Sequence, residues 1–252
     1  MLGAILLIAL VLLSTGYGTT SIPFADVVQA VMLGLGLADG EIAPVHRIVF
    51  DLRLPRALFA AVIGAGLGIV GVVLQTTTRN DLADPFLFGL SSGAAAGAVF
   101  VITVTGDVQG LWTLPLAAFA GGIIASAIVL GLVHSLRTSA PEKLILAGLA
   151  VSFLFAAITN YLIFAGDSRA AHSVIFWMLG GLGLARWESF PLVCAGLALI
   201  LTYTIYRARW LDALLTGDVT ASTLGVPDQR LRFAMFFVAA LATAIFVSVA
   251  GV

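Results

Sequence analysis

Four stretches of this chain, Ala57 to Gln75, Leu111 to Val133, Leu144 to Phe164 and Phe233 to Val252, run apolar without a single Asp, Glu, Lys, Arg or His. Each is long enough for a bilayer core about 30 Å thick, which takes about 20 helical residues to cross. Hydrocarbon offers no water to backbone N–H and C=O groups, so such a stretch must be helical there. Three further runs, Leu2 to Tyr17, Phe86 to Val104 and Phe190 to Tyr206, approach the same length. The expected fold class is therefore all-α, a polytopic transmembrane helical bundle with seven spans. Composition excludes the soluble alternative. The chain is 61% hydrophobic and 10% charged, against about 45–50% and about 25% in soluble domains. A soluble fold of 252 residues could not hide that much apolar surface.

A shorter apolar stretch, Ser173 to Ala185, carries Gly180, Gly181 and Gly183. It is too short to cross and reads as a half-helix or re-entrant element. Leu2 to Leu13 has the apolar content of a signal peptide, but no Lys or Arg precedes Arg47 and no cleavage pattern follows. It reads as a first spanning helix. Arginine and lysine in the connections set orientation. With the N-terminus inside, the inner side holds Arg79, Arg137, Lys143, Arg207, Arg209, Arg230 and Arg232. The outer side holds Arg47, Arg53, Arg56, Arg169 and Arg186. The bias favours a cytoplasmic N-terminus.

Several chemistries are disfavoured. The only lysine, Lys143, follows Ala140-Pro141-Glu142, and no P-loop is present to cradle ATP phosphates. His46, His134 and His172 fall on separate connections without ligand spacing, so no metal site and no cofactor are expected. One cysteine, Cys194, leaves no intrachain disulfide. A net charge of −1 suggests no nucleic-acid partner. Proton-coupled carriers usually keep an ionisable group at membrane depth, and the charge-free spans show no such relay.

Small residues mark two packing faces. Ala57, Ala61, Gly64, Gly68 and Gly71 recur at steps of three or four, and Gln75 continues that face. Gly89, Gly93 and Gly97 repeat the pattern on the next span. Small residues let helix backbones approach closely in lipid. Arg53-Leu54-Pro55-Arg56 precedes the second span. It reads as a helix start with interfacial arginines or as a basic docking point. Between the second and third spans, Arg79-Asn80-Asp81-Leu82-Ala83-Asp84-Pro85 is rich in turn formers. The longest polar stretch, Arg207 to Arg232, contains Leu211 to Leu215 as a short amphipathic piece and a break at Thr216-Gly217-Asp218. Ala221 to Leu224 then forms a second short helix, stopped by Gly225 and Pro227. Two short helices suit a docking platform for a soluble partner; a solvated linker is the plain alternative.

Taken together these stretches resemble the permease subunits of ABC importers for iron–siderophore, haem and vitamin B12, the FecCD-type family. The resemblance runs through Arg53-Leu54-Pro55-Arg56, Gly64 to Gln75, Arg79-Asn80, Leu82 to Pro85 and Leu87 to Gly93. It continues in Leu144 to Gly148, Phe176 to Gly181 with Trp187, and Leu211 to Leu215 with Gly217, Ala221 and Leu224-Gly225-Val226. It covers about Ile48 to Val252, in the family's order. Asp81 stands where the family commonly has proline.

The resemblance implies a fold of ten spanning helices and a single permease domain over 1–252 that lacks the family's C-terminal helices. Residues 207–232 would be its cytoplasmic coupling loop. It implies a second permease copy, cytoplasmic ATP-binding subunits and a periplasmic or lipid-anchored substrate-binding protein as partners, in the cell (inner) membrane. Arg53 and Arg56 would meet the binding protein. Leu214, Gly217, Asp218, Ala221, Leu224 and Gly225 would serve ATPase coupling. Ser152, Ala156, Thr159 and Asn160 would line the translocation path. Gly64, Gly68, Gln75, Asn80, Asp84, Pro85, Gly89 and Gly93 form the packing and turn motif. The implied cargo is an iron chelate or a related complex such as haem or cobalamin. A secondary, ion-coupled transporter and a non-transporting truncated subunit are the rival functions.

Overall fold

The computed structural model describes residues 2–18, 20–40, 43–105, 112–135 and 141–251. Leu111, Arg137 and Val252 from the sequence reading lie outside them. The described residues form helices α1 (Leu2–Gly16), α2 (Phe24–Gly34), α3 (Pro44–Arg47), α4 (Leu54–Thr78), α5 (Leu90–Phe100) and α6 (Thr113–Ser135). Then follow α7 (Pro141–Ala165), α8 (Ser168–Met178), α9 (Phe190–Leu215), α10 (Asp218–Thr223) and α11 (Asp228–Ala250). Five helical stretches are long and apolar enough to cross a membrane: Pro44–Thr78, Thr113–Ser135, Lys143–Ala165, Trp187–Leu215 and Asp228–Ala250.

The two remaining apolar runs make shorter helices. Leu2 to Tyr17 ends as a helix at Gly16. Phe86 to Val104 loses its first turn because Pro85–Phe88 is a 3₁₀ turn and Gly89 adopts φ +78, so helix begins only at Leu90. The segment after α1 was expected to be a connection, yet it carries α2, an eleven-residue helix. That is below the length at which an apolar run signals a crossing.

The Arg53–Arg56 segment is not a helix start. A π-helical turn at Ile48–Arg53 joins α3 to α4 without a break, giving one helix from Pro44 to Thr78. Pro55 therefore sits inside a helix, where it lacks an N–H and crowds the preceding turn. The wider π turn just before it relieves that clash.

Contacts divide the chain into two compact units. The first comprises residues 1–64 and 182–194. Its core is Ile22, Val27, Ala30 and Val49, with Val45 against them. Phe50 stacks on Trp187 with centroids 5.2 Å apart, and the Trp187 indole N–H donates to the Phe50 carbonyl at 2.9 Å. The second unit comprises 65–181 and 195–252. There the Gly89-Gly93-Gly97 face behaves as expected. A Cβ on Gly93 would strike Gly121 and Ala125, and one on Gly97 would strike the Ala117 carbonyl. Backbone meets backbone where α5 crosses α6.

The other stripe does not pack in this way. A Cβ at Gly64, Gly68 or Gly71 would meet nothing within 4 Å. The close contact on α4 is Gly66, one step off the stripe, where a Cβ would run into the Phe246 ring of α11. Ser173 to Ala185 was read as a half-helix. The observed helix α8 starts five residues earlier, capped by Asp167, whose carboxylate accepts from the Ala170 N–H at 2.7 Å. It stops before Gly180, which has φ +68, and the Gly181 N–H donates to the Ala250 carbonyl at 2.7 Å.

Candidate coupling and translocation site

The segment 207–232 is less loop-like than its polarity suggests. Leu211 to Leu215 is the last turn of α9, not a separate helix. A bend follows at Gly217, which has φ +111, and then α10. Gly225, at φ +77, ends α10: its N–H donates to the Ser222 carbonyl at 3.0 Å, and the Val226 N–H reaches back to Ala221 at 3.0 Å. That doubled bond is a Schellman ending, which a left-handed glycine permits.

Burial sorts the residues expected to serve coupling. Leu214, at the end of α9, and Ala221, on α10, are fully buried, so Ala221 seats α10 against the body of the second unit. Leu224 is exposed at 67%. Val219 on α10 is exposed at 79% and Leu215, at the end of α9, at 61%; Val219 was missed from sequence. It looks unremarkable in a hydrophobic chain, and only its exposure singles it out.

Asp218 is engaged within the chain at both carboxylate oxygens. Oδ2 accepts from Arg79 at 2.8 Å and Oδ1 from Arg232 at 2.6 Å. Arg232 is 5% exposed and also donates to the Thr77 carbonyl in the last turn of α4. Asp218 thus ties the start of α10 to the ends of α4 and α11. The sequence names Arg79 as an inner-side charge at the start of a turn and Arg232 as an inner-side charge, but it pairs neither with Asp218, because 139 residues separate Arg79 from its partner.

Arg79 is the only described non-glycine residue with positive φ, at +49. It occupies the position after α4 where helices commonly end in glycine. The Asn80 N–H bonds Gln75 O at 3.2 Å and the Arg79 N–H bonds Thr76 O at 3.4 Å. A side chain in this conformation costs roughly 1–2 kcal/mol over glycine. The ion pair it gains is more than a third exposed on both sides, and pairs of that kind contribute about 0.2–1 kcal/mol. Stability alone would favour glycine here.

The turn that follows carries two hydrogen-bonded pieces, one at Asn80 and one at Asp84. Asn80 Oδ1 accepts from the Leu82 N–H at 3.0 Å, and the Ala83 N–H donates to Asn80 O at 3.0 Å. Asp84 accepts from the Phe86 N–H at 2.6 Å and caps the 3₁₀ turn that Pro85 begins. These are the side-chain-mimicked turns that Asn and Asp make. The turn ends on α7. The Ser152 hydroxyl donates to the Phe86 carbonyl at 3.1 Å. A Cβ on Gly89 would sit 3.2 Å from Val151 and 3.5 Å from Ser152 N.

The four residues expected along the path divide by burial. Ser152 and Thr159 are buried, while Ala156 and Asn160 are exposed. The exposed surface of α7 also carries Phe153, Tyr161 and Phe164.

In the first unit, Arg53 and Arg56 part ways. Arg53 donates to the Thr15 and Gly16 carbonyls at 3.2 and 3.1 Å and to Thr20 O at 2.7 Å. It caps the C-terminus of α1, whose last carbonyls have no helical partner. Arg56 is exposed and free of hydrogen bonds and ion pairs among the described residues.

Known proteins resemble this chain. The profile of the FecCD transport family matches residues 6–252. The chain is 31% identical over 253 residues to an iron-uptake system permease protein of Bacillus subtilis, covering 98% of this chain and 75% of that one. It is 39% identical over 208 residues to a cobalamin import system permease protein of Halobacterium salinarum, covering 81% of this chain and 54% of that one. A solved inward-facing structure, assigned to a metal-chelate type ABC transporter, matches with a TM-score of 0.82 at 28% identity. That match covers 99% of this chain and 74% of the other. The chain therefore spans about half of the halobacterial relative and about three quarters of the other two. With five helical stretches long and apolar enough to cross a membrane among its described residues, its bonded turn at Asn80–Phe88 and a profile match over nearly its whole length, this multi-pass membrane protein belongs to the FecCD transport family.

Proposed function

We propose that this chain is the membrane-spanning permease subunit of an ATP-driven, binding-protein-dependent importer that moves an iron chelate into the cell. The observation that carries this reading is α10. It is a short helix between two left-handed glycines, anchored by Ala221 and Asp218, with Val219 exposed on it and Leu215 and Leu224 exposed at its flanks. Exposed large apolar side chains on and beside a short anchored helix suit docking, and the partner would be a cytoplasmic ATP-binding subunit. The absence of ionisable residues from four apolar runs suits a path that handles no protons.

In this reading the N-terminus is cytoplasmic and the membrane is the cell (inner) membrane. Arg56 meets an acidic residue of the substrate-binding protein, while Arg53 positions the surface by capping α1. Two permease copies meet beside α7, with Ala156 and Asn160 toward the path and Ser152 and Thr159 holding the helix in place. Iron–siderophore is the first choice of cargo, as the iron-uptake relative aligns over nearly the whole chain. Haem and cobalamin are the alternatives.

The test is co-expression with the ATP-binding subunit and binding protein encoded alongside it, then reconstitution into proteoliposomes. Radioiron-labelled siderophore should accumulate only with internal ATP. Uptake that ignores ATP but collapses with an ionophore would favour the ion-coupled reading. ATP-dependent accumulation of cobalamin alone would keep the importer and change the cargo.

A further inference from the structure

Arg79 pays a backbone penalty that its surface ion pair does not repay, so its guanidinium is kept for something other than stability. The network around it suggests what. On one side Arg79 holds Asp218, the first residue of α10, at 2.8 Å. On the other it begins the turn whose bonds run from Asn80 through Asp84 to Phe86, and Phe86 O accepts from Ser152 on α7 at 3.1 Å. All these residues lie in the second unit. Hydrogen bonds tie Asn80 to Leu82 and Ala83, and Asp84 to Phe86, and the backbone joins these two bonded pieces directly. A shift of α10 therefore reaches α7 through this turn, without passing along α11.

We propose that Arg79 is a positioning residue that transmits movement of α10 to α7, through the Asp218 ion pair and the Asn80–Phe88 turn. This rests on the importer reading above. Arg232 holds Asp218 independently at 2.6 Å, so α10 stays attached to α11 when Arg79 is lost but is no longer tied to the turn. The two arginines divide the work: Arg232 anchors and Arg79 transmits. A left-handed arginine, unusual among non-glycine residues, is the local mark of that second task.

Arg79→Gly tests this, because glycine suits the left-handed backbone while the side chain and its guanidinium are removed. In the reconstituted complex the variant should bind the ATP-binding subunit and hydrolyse ATP like the wild type. Substrate imported per ATP should fall by roughly tenfold, within what one link of a coupling network can carry. Arg79→Lys should restore most of that ratio. The chain alone supplies a second readout. Spin labels at Leu82 and Thr223, both exposed, are placed in a Cys194→Ser background. They should report one narrow distance in the wild type and a broad one in Arg79→Gly. Both changes are required: an import ratio within twofold of wild type, or an unchanged distance width, overturns the proposal. If the wild type itself shows no ATP-driven import, the importer reading fails; the spin labels still report whether Arg79 ties α10 to the turn.

Discussion

Arg232 reaches Asp218 across 2.6 Å from a position only 5% exposed, while Asp218 itself is 38% exposed. The pair is therefore asymmetric. Removing the carboxylate strands a buried cation; removing the arginine leaves a partly hydrated anion that still has Arg79. Asp218→Ala should cost about 3 kcal/mol, the low end for breaking a buried pair. Arg232→Met, which refills the buried volume with apolar atoms, should cost only about 1–2 kcal/mol. Thermal unfolding of the two variants in one detergent gives the order. Equal losses would mean that Arg232 is better hydrated than its burial implies.

The two glycine stripes should respond oppositely to a methyl group. Gly97→Ala drives a Cβ into the Ala117 carbonyl where α5 crosses α6, and overpacking of that kind costs typically about 1–3 kcal/mol. Gly68→Ala meets open space and gains helix propensity, so it should be neutral or stabilising by up to about 1 kcal/mol. Unfolding midpoints in nanodiscs containing this chain alone provide the comparison.

Arg53 and Arg56 should separate stability from docking. Arg53→Ala frees the Thr15, Gly16 and Thr20 carbonyls. With charge-assisted bonds worth about 1.5–3 kcal/mol each at most, and partial exposure here, a loss of about 2 kcal/mol is expected. Faster proteolysis around residues 15–20 should accompany it. Arg56→Glu should leave the unfolding temperature alone and weaken capture of the binding protein, most strongly at low salt. Surface plasmon resonance across a salt series reads this directly, and salt-independent capture by the wild type would remove Arg56 from that interface.

On the coupling helix, Val219→Ser with Leu224→Ser should reduce co-purification of the ATP-binding subunit while the chain stays folded, since both side chains face outward. Gly225→Val should reduce it further, because a β-branched residue at φ +77 is strained and the end of α10 must move. Intact assembly in the Val219/Leu224 double variant would relocate the docking surface.

Among the described residues, apolar run length found all five helical stretches long enough to cross a bilayer, because charge is so costly in hydrocarbon that its absence is conspicuous, but it also counted two runs whose helices are shorter. The turn at Asn80–Pro85 was legible for a related reason: Asn, Asp and Pro each favour one local backbone geometry. Boundaries fared worse. Gly89 and Pro85 shortened the Phe86–Val104 helix, and the π turn at Ile48–Arg53 absorbed Pro55 into a longer one. Whether a proline or glycine ends, kinks or is tolerated by a helix depends on what surrounds it.

Residue type alone thus determined that this chain spans a membrane through helices, where its turns fall and which family it resembles. Partnership was decided only in three dimensions. Gly66 rather than Gly64 or Gly68 meets Phe246, and Arg53 closes α1 while Arg56 stays free. Leu214 turns inward and Val219 outward, and Asp218 gathers two arginines from distant parts of the chain. The physical reason is common to all four. Hydrophobicity and turn propensity act over a few residues, whereas a contact depends on which helix faces come together, and that is set by packing across the whole unit.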